Sequence, residues 1–185
     1  MRYLLIALGV EAMPLIQTFR LKKIKGVGFR LYANDDTLLC IGGSGMEQTA
    51  KALRKLLRYR PPQANDAFFN IGICAADASY AIGEILSIDE VAHDDTVLSL
   101  PRKEETTRDR IRLLTCKEAC DTVRSTPVDM EAFAAVEIAR RSFRDYRVIK
   151  IVSDRFNPSV VTHEHVDRLL RASLPMLKFI INSIK

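Results

Sequence analysis

The stretch from Ser125 to Asp154 constrains this chain more than any other. It opens with Ser125-Thr126-Pro127-Val128-Asp129-Met130-Glu131 and continues with apolar residues at helical spacing (Phe133, Ala134, Ile138, Phe143). It ends in Val148-Ile149-Lys150-Ile151-Val152-Ser153-Asp154. The first part predicts the start of a helix, which then runs over 132–143. The last part predicts a buried strand over 147–152 that carries a carboxylate to its C-terminal end. A helix leading into a buried strand is a unit of an α/β sheet, and in such sheets ligands collect at the carboxyl ends of the strands. Glu131 and Asp154 are therefore expected to stand near one another across a strand–helix seam.

The rest of the chain supplies what would face them. Tyr3 to Leu8 is a continuous apolar run, the pattern of a central parallel strand covered on both faces. Gly9 ends it, Glu11 lies just past its end, and a short helix is predicted over Met13 to Phe19, beginning near Pro14. Residues 26–33 and 37–41 read as strands joined by an Asn34-Asp35-Asp36 hairpin turn. Gly42-Gly43-Ser44-Gly45 then leads into a helix over 46–59, with Ala50, Leu53, Leu56 and Leu57 at helical spacing. Such a turn lets a ligand approach the backbone, although no Gly-Lys-Ser/Thr follows to make it a Walker loop. Pro61-Pro62 stops that helix. Residues 67–76 form a second central strand ending in small residues, and 82–91 read as one further strand. Asp95 to Arg112 reads as a charged surface loop with a short helix, 112–116 as a strand, and 163–184 as a C-terminal helix kinked at Pro175. One α/β domain over residues 1–185, with a mostly parallel mixed sheet flanked by helices, is the expected fold.

A chain of 185 residues holds one domain with a sizeable core. The net charge of +5 is mild. Its local clusters, Lys22-Lys23-Ile24-Lys25 and Arg54-Lys55-Leu56-Leu57-Arg58, come with no nucleic-acid motif and read as solvated faces. The apolar run at the N-terminus is short, is followed at once by Glu11, and lacks a small-x-small cleavage site, so it reads as a strand and not as a signal peptide. No run reaches the roughly 18 apolar residues of a membrane span. Cys40, Cys74, Cys116 and Cys120 form no Cys-x-x-Cys pair, and His93, His163 and His165 lack zinc spacing, so neither a metal nor another cofactor is expected. A reducing cytoplasm suits this cysteine usage. Cys116 and Cys120, four apart, predict one helix face. Cys74 sits in an apolar run that would raise its pKa and keep it from acting as a nucleophile.

Glu11, Glu131 and Asp154 thus stand at strand ends or helix starts. Carboxylates whose pKa values are pushed apart can divide acid and base roles, as in the cleavage of a glycosidic bond. Several segments resemble the purine nucleoside phosphorylase superfamily, and most of all its methylthioadenosine/adenosylhomocysteine nucleosidases. They are Val128-Asp129-Met130-Glu131-Ala132, Ile151-Val152-Ser153-Asp154, Ala7-Leu8-Gly9-Val10-Glu11-Ala12-Met13-Pro14-Leu15, Gly43-Ser44-Gly45-Met46, Asn70-Ile71-Gly72-Ile73-Cys74-Ala75 and Ile82-Gly83-Glu84-Ile85. Order and rough spacing hold over nearly the whole chain, which is shorter than a typical member.

The resemblance implies a nucleosidase that hydrolyses the N-glycosidic bond of a purine nucleoside, with adenine as the default base. It implies that Asp154 protonates N7 of the leaving purine, that Glu131 binds the ribose hydroxyls, and that Glu11 activates water. Met130 would pack against the sugar, with Ser44, Gly45 and Cys74 also at the substrate, and Arg155 or Arg102 available to an anionic group. It further implies a homodimer. Ala119 stands where these enzymes place a phenylalanine that stacks on the base, and Ile73 and Ala75 replace a serine and a glycine. A phosphorylase and a catalytically inactive nucleoside-binding protein of the same fold stay open as alternatives.

Overall fold

The apolar run after Met1 forms β1 (Arg2–Ile6), buried on both faces as its composition requires. Tyr3 and Leu5 point to one side and Leu4 and Ile6 to the other, each into its own hydrophobic cluster. The computed structural model describes residues 1–101 and 110–183. After β1 come α1 (Gly9–Thr18), β2 (Lys22–Ile24), β3 (Arg30–Ala33), β4 (Thr37–Ile41), α2 (Met46–Tyr59) and β5 (Ala67–Ala75). Then follow β6 (Ile85–Ser87), β7 (Glu90–His93), β8 (Thr96–Ser99), β9 (Arg112–Thr115), β10 (Val128–Asp129), α3 (Ala132–Ala139), β11 (Asp145–Asp154) and α4 (His163–Asn182). Together they make one α/β sandwich. The core that holds Leu4, Phe69, Ile149 and Ile151 is covered by α1 and α4 through Leu15, Leu170 and Leu177. The core that holds Tyr3, Leu5 and Phe68 is covered by α2 and α3 through Leu53, Leu56, Ala135 and Ala139. The alanines of α3 let it approach the sheet closely. No helix among the described residues is long and apolar enough to cross a membrane.

The sheet is mixed, with a parallel centre. β1 pairs in parallel with β4 and β5, and β5 pairs in parallel with β11 over its whole length. Antiparallel pairs occur at β2–β3, β3–β4, β7–β8 and β6–β11, and in mid-sheet where β10 joins β5. One irregularity positions everything that follows. β5 pairs with β1 only as far as Leu5↔Asn70, whereas its end, Ala75, pairs with Val128 of β10. Beyond Asn70 the two central strands part, and the space between them opens at their carboxyl ends.

Several boundaries differ from the sequence expectation. The expected strand over 26–33 exists only as β3, because Gly26 (φ 79°) and Gly28 (φ 72°) turn the chain back in the left-handed region. Lys22 and Lys23 instead form the edge strand β2, where exposed lysines deter further strand pairing. The expected strand over 82–91 is two, since the chain changes partner from β11 to β9. At the break, Asp89 Oδ2 accepts from Ile111 N–H at 2.9 Å. The run from Asp95 to Arg112 contains β8, and its middle, with Arg102, lies outside the described residues. α1 begins at Gly9, ahead of Pro14, because Glu11 reaches back to the Leu8 amide and starts the helix early. Residues 125–131 are irregular chain and the short β10, not the start of a helix. α3 begins only at Ala132, whose N–H is taken by Asp129 Oδ2 at 2.8 Å.

Candidate active site

The parting of β1 and β5 leaves a cavity of about 310 Å³, within the range of small-molecule sites. Glu11, Glu131 and Asp154 all line it. The structure therefore brings together the three acids that the sequence singled out, from the start of α1, the start of α3 and the end of β11.

Glu11 is 2% exposed. Its Oε2 accepts from Leu8 N–H at 2.8 Å, and its Oε1 from Ile73 N–H at 3.1 Å, in the stretch of β5 that β1 no longer covers. Burial pushes its carboxyl up from 4.5 to about 7; Glu131 adds to this, while the Leu8 amide, Lys150 and the Ile73 amide oppose it. Space for the carboxylate depends on Gly72, where a Cβ would stand 3.1 Å from Glu11 Oε1.

Glu131 is held by the glycine-rich turn. Gly45 N–H donates to its Oε1 at 2.8 Å and Ser44 Oγ at 3.2 Å. The turn achieves this with positive φ at Gly43 (89°) and Gly45 (86°), conformations that favour glycine. Burial, with Asp129 adding, raises the Glu131 carboxyl above its ordinary range, against Lys150, the Gly45 amide and the Ser44 hydroxyl. Ser44 also lines the cavity, whereas Gly45 acts on it through its amide.

Beneath these acids lies a group that the sequence reading passed over. Lys150 is 1% exposed, in mid-strand on β11, and its Nζ is 2.8 Å from Asp129 Oδ2. Burial pulls its ammonium down, but Asp129, Glu131 and Glu11 outweigh burial and leave its pKa raised. Asp129 is itself saturated: Thr115 Oγ1 donates to Oδ1 at 2.7 Å, and the Ala132 and Glu131 amides donate to Oδ2 at 2.8 and 3.3 Å. One buried ammonium thus serves three carboxylates, and at that depth its charge is weakly screened. The signal was available in Val148-Ile149-Lys150-Ile151-Val152, because a lone lysine inside a strand buried on both faces must be paired.

Asp154 owes its aim to a β-bulge. The register of β11 against β5 shifts between Val152 and Asp154, and a bulge redirects side chains. Ser153 Oγ donates to Asp154 Oδ1 at 2.6 Å and Asn157 N–H to Oδ2 at 2.9 Å. His165 of α4 contacts the Ser153 carbonyl through Nε2 at 2.8 Å and steadies the strand end.

The opposite wall is apolar and smooth. Ile73, Cys74, Ala75, Ala119 and Val128 line it, Met130 stands beside Glu131, and among the described residues no lining residue is aromatic. Burial pushes the Cys74 thiol up to about 12, which leaves it a wall and no nucleophile. Arg155 does not face a substrate, since its guanidinium donates to the carbonyls of Ala76 and Tyr80. Among the described residues, no arginine or lysine lines the cavity.

No family model matches the chain, and neither does any curated protein sequence. Solved structures do match. The 5'-methylthioadenosine nucleosidase of Arabidopsis thaliana in apo form aligns with a TM-score of 0.81 at 17% identity, over 100% of this chain and 95% of that one. The 5'-methylthioadenosine/S-adenosylhomocysteine nucleosidase of S. pneumoniae, solved with a transition-state inhibitor, gives 0.80 at 16%, over 100% of both chains. The futalosine hydrolase of Helicobacter pylori gives 0.79 at 10%, over 98% and 97%. The chain has the nucleoside phosphorylase/nucleosidase-like fold. At such identities the likeness is one of fold, and what the site does has to be argued from its own residues.

Proposed function

We propose that this protein is a purine nucleosidase that hydrolyses the N-glycosidic bond of a purine nucleoside, adenine being the default base. The observation that carries the reading is the meeting of Glu11, Glu131 and Asp154 in one cavity that, among the described residues, no lysine or arginine lines. Glu11, with a carboxyl near 7, is poised as a general base at neutral pH. It takes a proton from a water molecule as the water oxygen bonds to C1' of the sugar. The C1'–N9 bond breaks, its electron pair moves into the base, and Asp154 delivers a proton to N7. Glu131 accepts hydrogen bonds from the ribose hydroxyls, with Met130 against the sugar. Ser44 and Gly45 act one step back by fixing Glu131, and Asp129 and Lys150 balance its charge. Positive charge develops on the sugar in such reactions, and a cavity lined by carboxylates favours it.

The same charge balance argues against phosphorolysis. Among the described residues, a phosphate dianion entering beside Glu11 and Glu131 would find one ammonium within reach, already shared with Asp129. A second reading, a nucleoside-binding protein without catalysis, draws on the wall around Ala119, which among the described residues has no aromatic platform for a base. Homodimer assembly and a cytoplasmic location rest on the family resemblance and the cysteine usage. Incubating the protein with a panel of purine nucleosides, with and without phosphate, and following free base by chromatography separates these readings. Hydrolysis predicts base release that ignores phosphate. Release that requires phosphate would make the protein a phosphorylase, and tight binding with no release at all would leave it a binding protein.

A further inference from the structure

Cys116, Cys120 and Ser153 take no part in the mechanism above. The two cysteines lie on irregular chain and not on the expected helix face. Ser153 is placed differently. It is buried, and it lines the cavity with Cys74 and Asp154. The register of β11 against β5 steps from Val152↔Cys74 to Asp154↔Ala75 and passes over it. Its Oγ stands 3.1 Å from the Cys74 carbonyl oxygen and 2.6 Å from Asp154 Oδ1. A hydroxyl has one proton to donate and can also accept, whereas a carbonyl oxygen and an ionised carboxylate only accept. A proton aimed at one of these neighbours is therefore turned from the other. Both are served in full when Asp154 Oδ1 carries a proton and donates it to Ser153 Oγ, while Ser153 donates to Cys74. The surroundings hold everything but the hydroxyl proton still. Asn157 N–H donates to Asp154 Oδ2 at 2.9 Å, which makes Oδ1 the better seat for the proton of the acid. Arg168 Nη2 lies 3.1 Å from His165 Nδ1. A guanidinium only donates, so Nδ1 accepts, and the hydrogen on Nε2 goes to the Ser153 carbonyl at 2.8 Å.

We propose that Ser153 is a positioning residue for the acid, a hydroxyl that turns from the Cys74 carbonyl to Asp154 Oδ1 as the proton leaves. Before the transfer, Ser153 accepts from the protonated Asp154 Oδ1 and donates to the Cys74 carbonyl. In the transfer the Oδ1–H bond of Asp154 breaks, the N7–H bond of the base forms, and the electron pair left on Oδ1 makes the carboxylate. The Ser153 proton stays on Oγ throughout. Rotation about the Cβ–Oγ bond carries it to Oδ1, where the separation of 2.6 Å suits a charge-assisted hydrogen bond to an anion. The Cys74 carbonyl gives up the longer bond of 3.1 Å. Ser153 thus offers the acid a hydrogen-bonded seat for its proton, and it offers the carboxylate a donor only as the negative charge appears. Interactions that strengthen as charge develops lower the barrier and leave substrate binding unchanged.

This role rests on the nucleosidase reading. The test measures steady-state base release by the full chain as wild type, S153A, S153C, D154N and S153A/D154N, on the purine nucleoside that the wild type cleaves fastest. S153A should lower kcat by about 10–100-fold, the worth of one hydrogen bond to a charged group. Its KM should stay within about twofold of the wild type. S153C, close in size but a weaker donor, should fall between the two. D154N has no proton to pass on. In that background the serine-to-alanine change should cost less than about threefold, because Ser153 acts through the proton of Asp154. A merely structural serine would cost the same in both backgrounds. Wild-type kcat in S153A, a loss that falls on KM, or a loss that recurs undiminished in D154N would each overturn the role and leave the nucleosidase reading standing. No base release by the wild-type chain would overturn that reading, and the role of Ser153 with it.

Discussion

Replacing Lys150 by methionine tests the electrostatic core of the site. The substitution keeps an unbranched apolar stem on β11 and removes the ammonium that faces Asp129, Glu131 and Glu11. Removing one partner of a buried ion pair typically costs about 3–5 kcal/mol. Here Asp129 keeps its Thr115 hydroxyl and two backbone amides, so the expected loss is at the lower end, about 3 kcal/mol. For a chain of this length that corresponds to a fall in Tm of about 6–12 °C. A second effect reaches the chemistry. A Cβ on Gly72 would lie 3.1 Å from Glu11 Oε1 and 3.5 Å from Lys150 Nζ, so carboxylate and ammonium are near neighbours beside the glycine. Two unit charges no more than about 6–7 Å apart at an effective dielectric constant near 20 attract by at least about 2 kcal/mol. Losing that attraction should raise the Glu11 carboxyl from about 7 by a further one to two units. The acidic limb of the kcat/KM profile for base release should then move to higher pH by the same amount. Urea unfolding and the pH–rate profile measure the two effects. A double variant, D129N/K150M, should recover stability without restoring the profile. A K150M protein as stable as the wild type, with its acidic limb unmoved, would refute the assignment of Lys150 as counter-charge.

Asp154→Asn should lower kcat by about 10²–10⁴-fold with an unchanged unfolding midpoint, because the amide keeps a Ser153 contact but cannot deliver a proton. Glu11, pushed up to about 7 from 4.5, binds a proton more tightly in the folded state than in the unfolded one. Its stabilising contribution is complete below pH 4.5 and is lost as pH rises to about 7, so stability should fall across that window, and E11Q should flatten the fall in urea titrations at several pH values. Gly72→Ala should displace the Glu11 carboxylate, cost about 1–3 kcal/mol and remove most base release, as stability and rate measurements on one preparation would show. Ala119→Phe should supply the missing stacking surface and lower KM by about tenfold, since base–aromatic stacking contributes about 1–3 kcal/mol.

What the sequence disclosed, and what it withheld, follows one physical division. Features carried by local pattern were legible: the doubly buried β1, α2 over Met46–Tyr59, the Asn34–Asp36 turn and the C-terminal helix all stand where periodicity and turn chemistry put them. The three acids were legible too, because each terminates a recognisable element. Features set by partners distant in sequence were not. Whether 82–91 is one strand or two depends on β9 and β11, which no local pattern encodes. The aim of Asp154 depends on a bulge against β5. The work of Ser44 and Gly45 is to hold a carboxylate 87 and 86 residues away in sequence.

Lys150 belongs to neither group, and it changes how the whole site is understood. Its strand was read correctly as buried, and a buried strand cannot hold an unpaired ammonium. That premise alone requires at least one carboxylate within reach in the folded protein. Glu11 in the first turn of α1, Asp129 at the end of β10 and Glu131 at the start of α3 are then no longer independent of one another. They become the counter-charges that this one residue needs, and each is kept in place by the others. Glu11 and Glu131 can be buried with raised carboxyl pKa values because Lys150 and the amides of Leu8, Ile73 and Gly45 limit the rise. Lys150 can be buried as an ammonium because the acids raise it. A cluster balanced in this way keeps the Glu11 carboxyl near neutral pH at the wall of the cavity, the property that the proposed general base requires.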